Sequence, residues 1–354
     1  MSALPLADEL LLHLAASDRR TAAQHCTALI GSGMALEHLI DNGLAPAMTQ
    51  VGALWESAVW SVVDEHIATA VAEAALSAAA AECRLAEPNG EVVVACAEGD
   101  WHSLPARMVA EVLDAHGWSV RFLGASQPTS LLVDHLNRHR PDAVLLSCAV
   151  PMALPALLSA VQDIHGLDLP VYVGGRALGN SPARALALGA DGWSPNAAGA
   201  IELLAHLPVA AIPHPQAAPD LSAYRASQLL LTAWVDDAMD ALCTMMPAVR
   251  AFTPEVRDRT RLDLRHLLDT TSIALMLNDP TLMDEQCHWL AQVLAARGVA
   301  PQALAYGLIA LHETEPPGEH DPRIGPALQQ AQHHLANSGH YRGTAPAPDS
   351  PQQR

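Results

Sequence analysis

The middle of the chain, residues 90–207, alternates short apolar runs with segments whose apolar residues recur every three or four positions. Such short runs are typical of buried parallel strands, and the wider spacing is typical of helices. The runs predict strands at 92–96, 118–123, 143–147, 171–173 and 191–193. The segments between and after them predict helices near 103–116, 129–139, 152–164, 178–188 and 196–206. Five strand–helix units in this order predict a five-stranded parallel, Rossmann-like domain.

The regions on either side of this domain show helical spacing alone. In residues 1–86 the pattern predicts a four-helix bundle with helices at 6–16, 20–30, 35–59 and 64–84. In residues 220–340 it predicts helices at 221–247, 254–278, 281–297, 301–313 and 322–336. A stretch rich in Pro and Ala, 208–219, predicts a linker, and residues 341–354 predict a disordered tail. The fold class is therefore α/β with flanking all-α domains.

Composition narrows the classes of function. The net charge of −19 argues against a nucleic-acid-binding surface, because phosphate contacts require clustered basic residues. The chain has no Lys, which excludes chemistry through a lysine Schiff base. Its six Cys form no CxxC pair, which predicts reduced thiols in the cytoplasm. No apolar run reaches the ~20 residues of a membrane span, so no membrane partner is expected.

Candidate chemistry gathers where the predicted strands end. The first strand breaks at Gly99, so Asp100 and His102 lie on the loop before the next helix. At that edge of an open α/β sheet, an imidazole with a carboxylate two residues earlier is a usable metal ligand, because the carboxylate fixes its tautomer. A polar loop histidine without a ligand is the alternative. Gly174 and Gly175 end the fourth strand at the same edge, where paired glycines let a ligand approach the backbone.

Asp100-x-His102, Ser147 at the end of the third strand and the Gly174-Gly175 pair together resemble the cobalamin-binding module of methionine synthase and its relatives. The resemblance implies that His102 is the lower cobalt ligand, in place of the cofactor's own dimethylbenzimidazole, with Asp100 as its relay. It implies a slot for the displaced nucleotide tail beside Ser147 and the glycines. Further cofactor contacts carried over are Ser103, Leu104 and Val150. Two positions depart from the family: Pro105 replaces the usual Gly, and Ala149 replaces a hydroxyl residue.

In the bundle, Trp55 is followed nine residues later by Glu65-His66, a spacing that resembles the light-dependent adenosylcobalamin receptors. The resemblance implies that the bundle caps the upper cobalt face. Trp55 would then stack on the adenosyl group, Val62 would pack beside it, and Glu65 and His66 would donate or accept hydrogen bonds. Without that context, a core Trp and an exposed charged pair would be the simpler interpretation. Glu56 stands where the light-dependent repressors have a His.

The order of bundle, cobalamin module and helical domain resembles the photocobilins, which bind adenosylcobalamin together with a linear tetrapyrrole. The resemblance implies a globin-like third domain that binds biliverdin or a related bilin. Candidate bilin-binding residues are Arg257, Arg261, Arg265, His266, Cys287, Trp289 and Tyr306. The three Arg share one helix face and could pair with two propionates. The alternatives are a solvated charged stripe partly neutralised by Asp258 and Asp263, an inert buried thiol at Cys287, and aromatic residues that fill a core.

These resemblances predict a light sensor that is not an enzyme. Photolysis of the cobalt–carbon bond would move the bundle and change subunit contacts in a homo-oligomer, and an unidentified output protein would read the change. Two other functions stay open. One is a corrinoid methyl carrier of a methyltransferase system, although the Trp-x9-Glu-His spacing argues against it. The other is a cobalamin sensor that binds a partner protein and no bilin.

Overall fold

The computed structural model describes residues 5–83, 89–207, 219–300, 302–318 and 320–337. The chain divides into two compact units, Met1–Leu221 and Ser222–Arg354. The predicted tail, and the predicted linker apart from Pro219, lie outside the described residues. In the part of the chain that is described, no helix is long and apolar enough to cross a membrane.

The first unit begins with the predicted bundle. Its helices are α1 (Leu6–Ala15), α2 (Arg19–Gly31), α3 (Leu36–Leu39), α4 (Ala45–Glu56) and α5 (Val62–Ala81). The helix predicted at 35–59 is interrupted by a π-helical segment, Ile40–Leu44, between α3 and α4. The backbone at Gly43 in this segment is covered by α1, because a Cβ there would lie 2.8 Å from Leu10 Cδ1. Helical periodicity alone does not reveal such a local change of pitch.

The predicted parallel sheet is confirmed. Its strands are β1 (Gly90–Cys96), β2 (Trp118–Gly124), β3 (Ala143–Ser147), β4 (Val171–Gly174) and β5 (Gly192–Ser194). The strand order is β2-β1-β3-β4-β5, and every neighbouring pair is parallel. The chain therefore leaves β1 toward one side of the sheet and returns to build β3 on its other side. This reversal opens a crevice at the carboxyl ends of β1 and β3, where ligands of open α/β sheets bind.

Five helices follow the strands: α6 (Ser103–Ala115), α7 (Thr129–His139), α8 (Leu154–His165), α9 (Ala183–Ala187) and α10 (Ala197–Leu204). The helix predicted at 178–188 is wrong over its first half. A 3-10 turn, Arg176–Leu178, ends at Gly179 with a φ of 74°, and α9 begins only after Pro182. A proline restricts the residue before it to extended backbone, so a helix cannot run through this segment.

The second unit consists of α11 (Ser222–Met245), α12 (Pro254–Leu277), α13 (Thr281–Ala296), α14 (Gln302–Glu313) and α15 (Ile324–Asn337). All five predicted helices are confirmed, and they share one apolar core. Trp234 is fully buried in that core, and its Nε1 donates a hydrogen bond of 2.8 Å to the carbonyl of Leu311. The globin-like character of this unit stays a prediction.

Candidate functional site

The loop between β1 and α6 is organised around a buried carboxylate. Asp100 is 0% exposed. Its Oδ1 accepts hydrogen bonds of 2.9 Å from the backbone nitrogen of His102 and of 2.9 Å from Nδ1 of the same residue. Its Oδ2 accepts a hydrogen bond from the backbone nitrogen of Ala149, just after β3. One side chain thus orients the imidazole and ties the loops after β1 and β3 together.

The His102 imidazole has the properties of a metal ligand. Because Nδ1 donates to Asp100, Nε2 keeps its lone pair, and the side chain is 58% exposed at the edge of the sheet. The hydrogen bond to Asp100 raises the pKa of His102, while burial opposes the rise. Glu65 raises the same pKa further and Arg176 lowers it, so both side chains lie within electrostatic reach of the imidazole.

The glycine pair lies where it was predicted, but for a different reason. Gly174 pairs with Ser147 across β3 and β4. Gly175 has a φ of 105°, and a Cβ there would lie only 2.4 Å from the carbonyl oxygen of Cys148. A Cβ on Gly174 would lie 2.9 Å from the carbonyl oxygen of Ser194. The space that a side chain would fill is therefore occupied by the protein's own backbone, and the approach of a ligand at these glycines stays a prediction.

A pair of substitutions tests this interpretation. Gly175→Ala is expected to lower the free energy of unfolding by more than the ~1–3 kcal/mol of a strained backbone, because a clash is added to the positive φ. Gly99→Ala is the matched control: its φ is 85°, but no atom lies within 4 Å of the added Cβ. Urea unfolding of both variants measures the difference, and equal losses would show that the Cys148 contact is unimportant.

The other residues carried over around the loop take different positions. Ser103, half-buried, is the first residue of α6, and Val150, also half-buried, directly precedes a 3-10 turn. Leu104 is buried in the apolar core that α6 shares with the bundle, so it supports the loop from behind. Ser126 was missed by the sequence reasoning. Its backbone nitrogen donates to the Asp100 carbonyl at 2.8 Å, and its Oγ accepts from the Gly99 nitrogen at 3.1 Å.

The predicted cap residues lie at the end of α4 and the start of α5. Trp55 and Glu65 are half-buried, and Val62 and His66 are exposed. A capping box begins α5, in which Ser61 accepts from the Asp64 nitrogen at 3.2 Å and Asp64 accepts from the Ser61 nitrogen at 2.8 Å. The capping box fixes where α5 begins and so places Glu65 in the first turn of this helix.

Among the polar contacts of the described residues that join the bundle to the sheet domain, two lie near the carboxyl ends of the strands. Arg176, directly after the glycine pair, forms an ion pair of 3.5 Å with Glu56, the neighbour of Trp55. Asp41, in the π-helical segment, accepts hydrogen bonds of 3.0 Å from the backbone nitrogens of Ala197 and Ala198 at the start of α10. A carboxylate is favourable at a helix amino terminus, which makes the second contact a cap supplied by another element. The sequence reasoning anticipated neither contact.

In the second unit, the predicted row of arginines is largely paired within the protein. Arg261 forms ion pairs with Asp236 at 3.0 Å and Asp258 at 3.6 Å, and Arg265 lies 3.7 Å from Asp269. Asp258 thus neutralises the row as expected. Burial raises the pKa of Asp263 to about 6, and the positive charge that opposes this rise is that of Arg259, which is not in the row. The Nε of Arg257 is buried and has no hydrogen-bond partner among the described residues.

The remaining bilin candidates are spread over three helices, α12, α13 and α14. Burial lowers the pKa of His266 on α12. Cys287 on α13 is buried, which raises the pKa of its thiol to about 12 and favours the inert-thiol alternative. Trp289 packs against the core of the unit, whereas Tyr306 on α14 is 37% exposed.

Comparison with known families agrees with the geometry of the first unit. Residues 90–202 match the B12 binding domain family, and residues 6–79 match a second B12 binding domain family. The sheet, the loop with His102 and the bundle therefore constitute cobalamin-binding domains. They are homologous to those of corrinoid proteins, and an imidazole whose Nδ1 is held by a buried carboxylate suits the lower position of cobalt.

Two curated relatives are corrinoid proteins of methanogens. The chain is 26% identical to monomethylamine corrinoid protein 1 of Methanosarcina acetivorans over 144 residues, 39% of this chain and 66% of that protein, just under two thirds of its length. It is 29% identical to dimethylamine corrinoid protein 2 of Methanosarcina mazei over 175 residues, 46% of this chain and 78% of that protein.

Two solved structures are similar to this chain at lower sequence identity. The monomethylamine corrinoid protein of Methanosarcina barkeri is 22% identical with a TM-score of 0.49, covering 56% of this chain and 96% of that structure. A cobalamin-binding protein from Desulfitobacterium hafniense DCB-2 is 23% identical with a TM-score of 0.32, and the match covers 58% of this chain and 98% of that structure.

Proposed function

We propose that this protein is a light receptor that binds adenosylcobalamin, with His102 as the lower cobalt ligand. The observation that carries the proposal is the cap. Trp55, Glu65 and His66 keep the spacing of the light-dependent receptors, and Glu65 lies within electrostatic reach of His102. An adenosyl group is bulky and its adenine ring presents a flat aromatic face on which a tryptophan can stack, whereas a methyl group presents no such face.

Each residue has a distinct task in this proposal. Asp100 would hold the tautomer of His102 that leaves Nε2 free to ligate cobalt, and Ser147 would line the slot for the nucleotide tail. Adenosylcobalamin supplies the response to light, because visible light breaks its bond between cobalt and carbon. Trp55 and Glu65 then respond to the loss of the upper group. Their movement is transmitted through the Glu56–Arg176 ion pair, which joins the end of α4 to the sheet edge.

The proposal assigns a linear tetrapyrrole, biliverdin or a relative, to the second unit. This unit has an apolar core of its own and lies outside the matched B12 binding domains. Arg257, whose Nε has no partner among the described residues, is the best remaining candidate for a propionate. The protein acts as a cytoplasmic, non-enzymatic homo-oligomer that signals to an output protein, and its six free thiols are consistent with a reducing compartment.

A second candidate function is a corrinoid methyl carrier. It is favoured by the two curated relatives, both of which are named as methylamine corrinoid proteins. A carrier needs an upper cobalt face that partner enzymes can reach, and it needs no selectivity for an adenosyl group. The two functions therefore differ in the upper ligand that they prefer and in their response to light.

The deciding experiment measures the binding of adenosylcobalamin and of methylcobalamin in the dark and then the effect of light on the loaded protein. The protein is expected to prefer adenosylcobalamin over methylcobalamin, and Trp55→Ala should reduce that preference by about tenfold, or ~1.4 kcal/mol. Biliverdin should add an absorption band at longer wavelength, and light should change the sedimentation of the adenosylcobalamin-loaded protein. Equal affinities for the two cobalamins, with no change on illumination, would support the methyl carrier instead. A light response without a biliverdin band would leave a plain cobalamin-dependent receptor.

A further inference from the structure

One large apolar side chain beside the cobalt ligand has no role in the assignments above. Trp101 lies between Asp100 and His102, and it is 75% exposed. The other six Trp of the chain are buried or half-buried. Exposure of so much of an indole to water is unfavourable. It is expected where the side chain becomes covered when the protein performs its function.

The backbone around Trp101 is held firmly. The Asp100 nitrogen donates to the Ala97 carbonyl at 3.0 Å, and the Asp100 carbonyl accepts from Ser126 at 2.8 Å. On the other side, the Ser103 nitrogen donates to the Trp101 carbonyl at 3.0 Å. Together with the bonds between His102 and the Asp100 carboxylate, these contacts fix both neighbours of Trp101. The exposure of the indole is therefore a property of an ordered loop.

We infer that Trp101 forms part of the corrin-binding surface, packing under the macrocycle beside His102. The inference rests on the binding of cobalamin by these domains and needs neither light nor an adenosyl group. Neighbouring Cα atoms are about 3.8 Å apart, and a corrin ring centred on the His102 nitrogen is several times wider than that. The methyl groups and neutral amides at its rim suit an aromatic face, which tolerates both apolar and polar neighbours.

The test is the binding of hydroxocobalamin by the full-length protein. Trp101→Ala should weaken binding by about tenfold or more, because the apolar contact is lost, and Trp101→Phe should weaken it less. Leu229→Ala is the matched control, since Leu229 is 87% exposed on α11 of the second unit, and its affinity should equal that of the parent protein. Binding should quench more tryptophan fluorescence in the parent protein than in Trp101→Phe.

Electron paramagnetic resonance of the cobalt(II) state distinguishes packing of Trp101 against the corrin ring from a role of Trp101 in shaping the loop. In Trp101→Ala the nitrogen coupling from His102 should persist, because Asp100 still holds the imidazole. Unchanged affinity and unchanged quenching would overturn the inference, and so would loss of the nitrogen coupling, which would show that Trp101 only shapes the loop. Unchanged affinity with altered self-association would assign the indole to an interface between copies and would also overturn it.

Discussion

Replacing His102 with Ala is expected to remove the nitrogen ligand below cobalt and to weaken cobalamin binding by at least the ~10–100-fold that is lost when a ligand's supporting residue is removed. Cobalamin that still binds should carry its own base or water in the lower position. Electron paramagnetic resonance of the cobalt(II) state, with ¹⁵N-labelled histidine in the protein, measures the ligand directly. The control is His206→Ala, an exposed His that bonds the Glu202 carbonyl in its own helical segment. If the labelled protein gives the unlabelled spectrum, His102 is not the ligand.

The same histidine gives the site a pH dependence with two opposite signs. The hydrogen bond to Asp100 raises the pKa of His102, so a proton competes with cobalt for Nε2 at a higher pH than at an ordinary histidine. Cobalamin affinity should therefore fall as the pH drops through this raised pKa. The ion pair between His102 and Asp100 has the opposite effect on the stability of the protein without cobalamin. Its contribution to the free energy of unfolding is complete below the pKa of His102 in the unfolded state, and it is lost as the pH rises through the raised pKa of His102 in the folded state.

Removing the Asp100 carboxylate is expected to cause the second large effect, this time on folding. Asp100→Ala leaves the backbone N–H groups of His102 and Ala149 without their acceptor in a part-buried site. At ~1–3 kcal/mol for each unsatisfied group, the free energy of unfolding should fall by ~2–6 kcal/mol. Asp100→Asn should recover only part of this loss, because an amide has one acceptor oxygen and the carboxylate uses both. Urea unfolding without cobalamin measures the effect.

The matched control lies on the same loop. The Glu98 carboxylate accepts one exposed hydrogen bond of 2.9 Å from the Thr129 nitrogen. Glu98→Ala therefore also removes a carboxylate that accepts a hydrogen bond, but the Thr129 N–H that it leaves behind is exposed to water. Its loss should stay near the ~0.5–1.5 kcal/mol of a single hydrogen bond. Equal losses in the Glu98 and Asp100 variants would show that burial of the Asp100 carboxylate contributes nothing special to the fold.

The order of strands and helices in the first unit was predictable, because strands such as β1 and β3, which are largely buried, appear as unbroken apolar runs. The prediction failed where local backbone geometry overrides periodicity. Gly179 and Pro182 divide one predicted helix, and the π-helical segment Ile40–Leu44 interrupts another. The arginine row was identified by spacing on one helix. The ion pair between Arg261 and Asp236 on α11 could not be identified in this way, since that contact joins two separate helices.

The pairing of Asp100 with His102 was predictable from the sequence itself, because the two residues are two positions apart on one short loop and their side chains can meet locally. Only the tertiary structure decided that the other carboxylate oxygen binds Ala149, that the Cys148 backbone requires Gly175, and that Glu56 meets Arg176. The partners in these contacts are brought together by the order of strands in the sheet and by the packing of the bundle on α6. Hydrophobic periodicity specifies which face of an element is buried, but it does not specify which distant element covers that face.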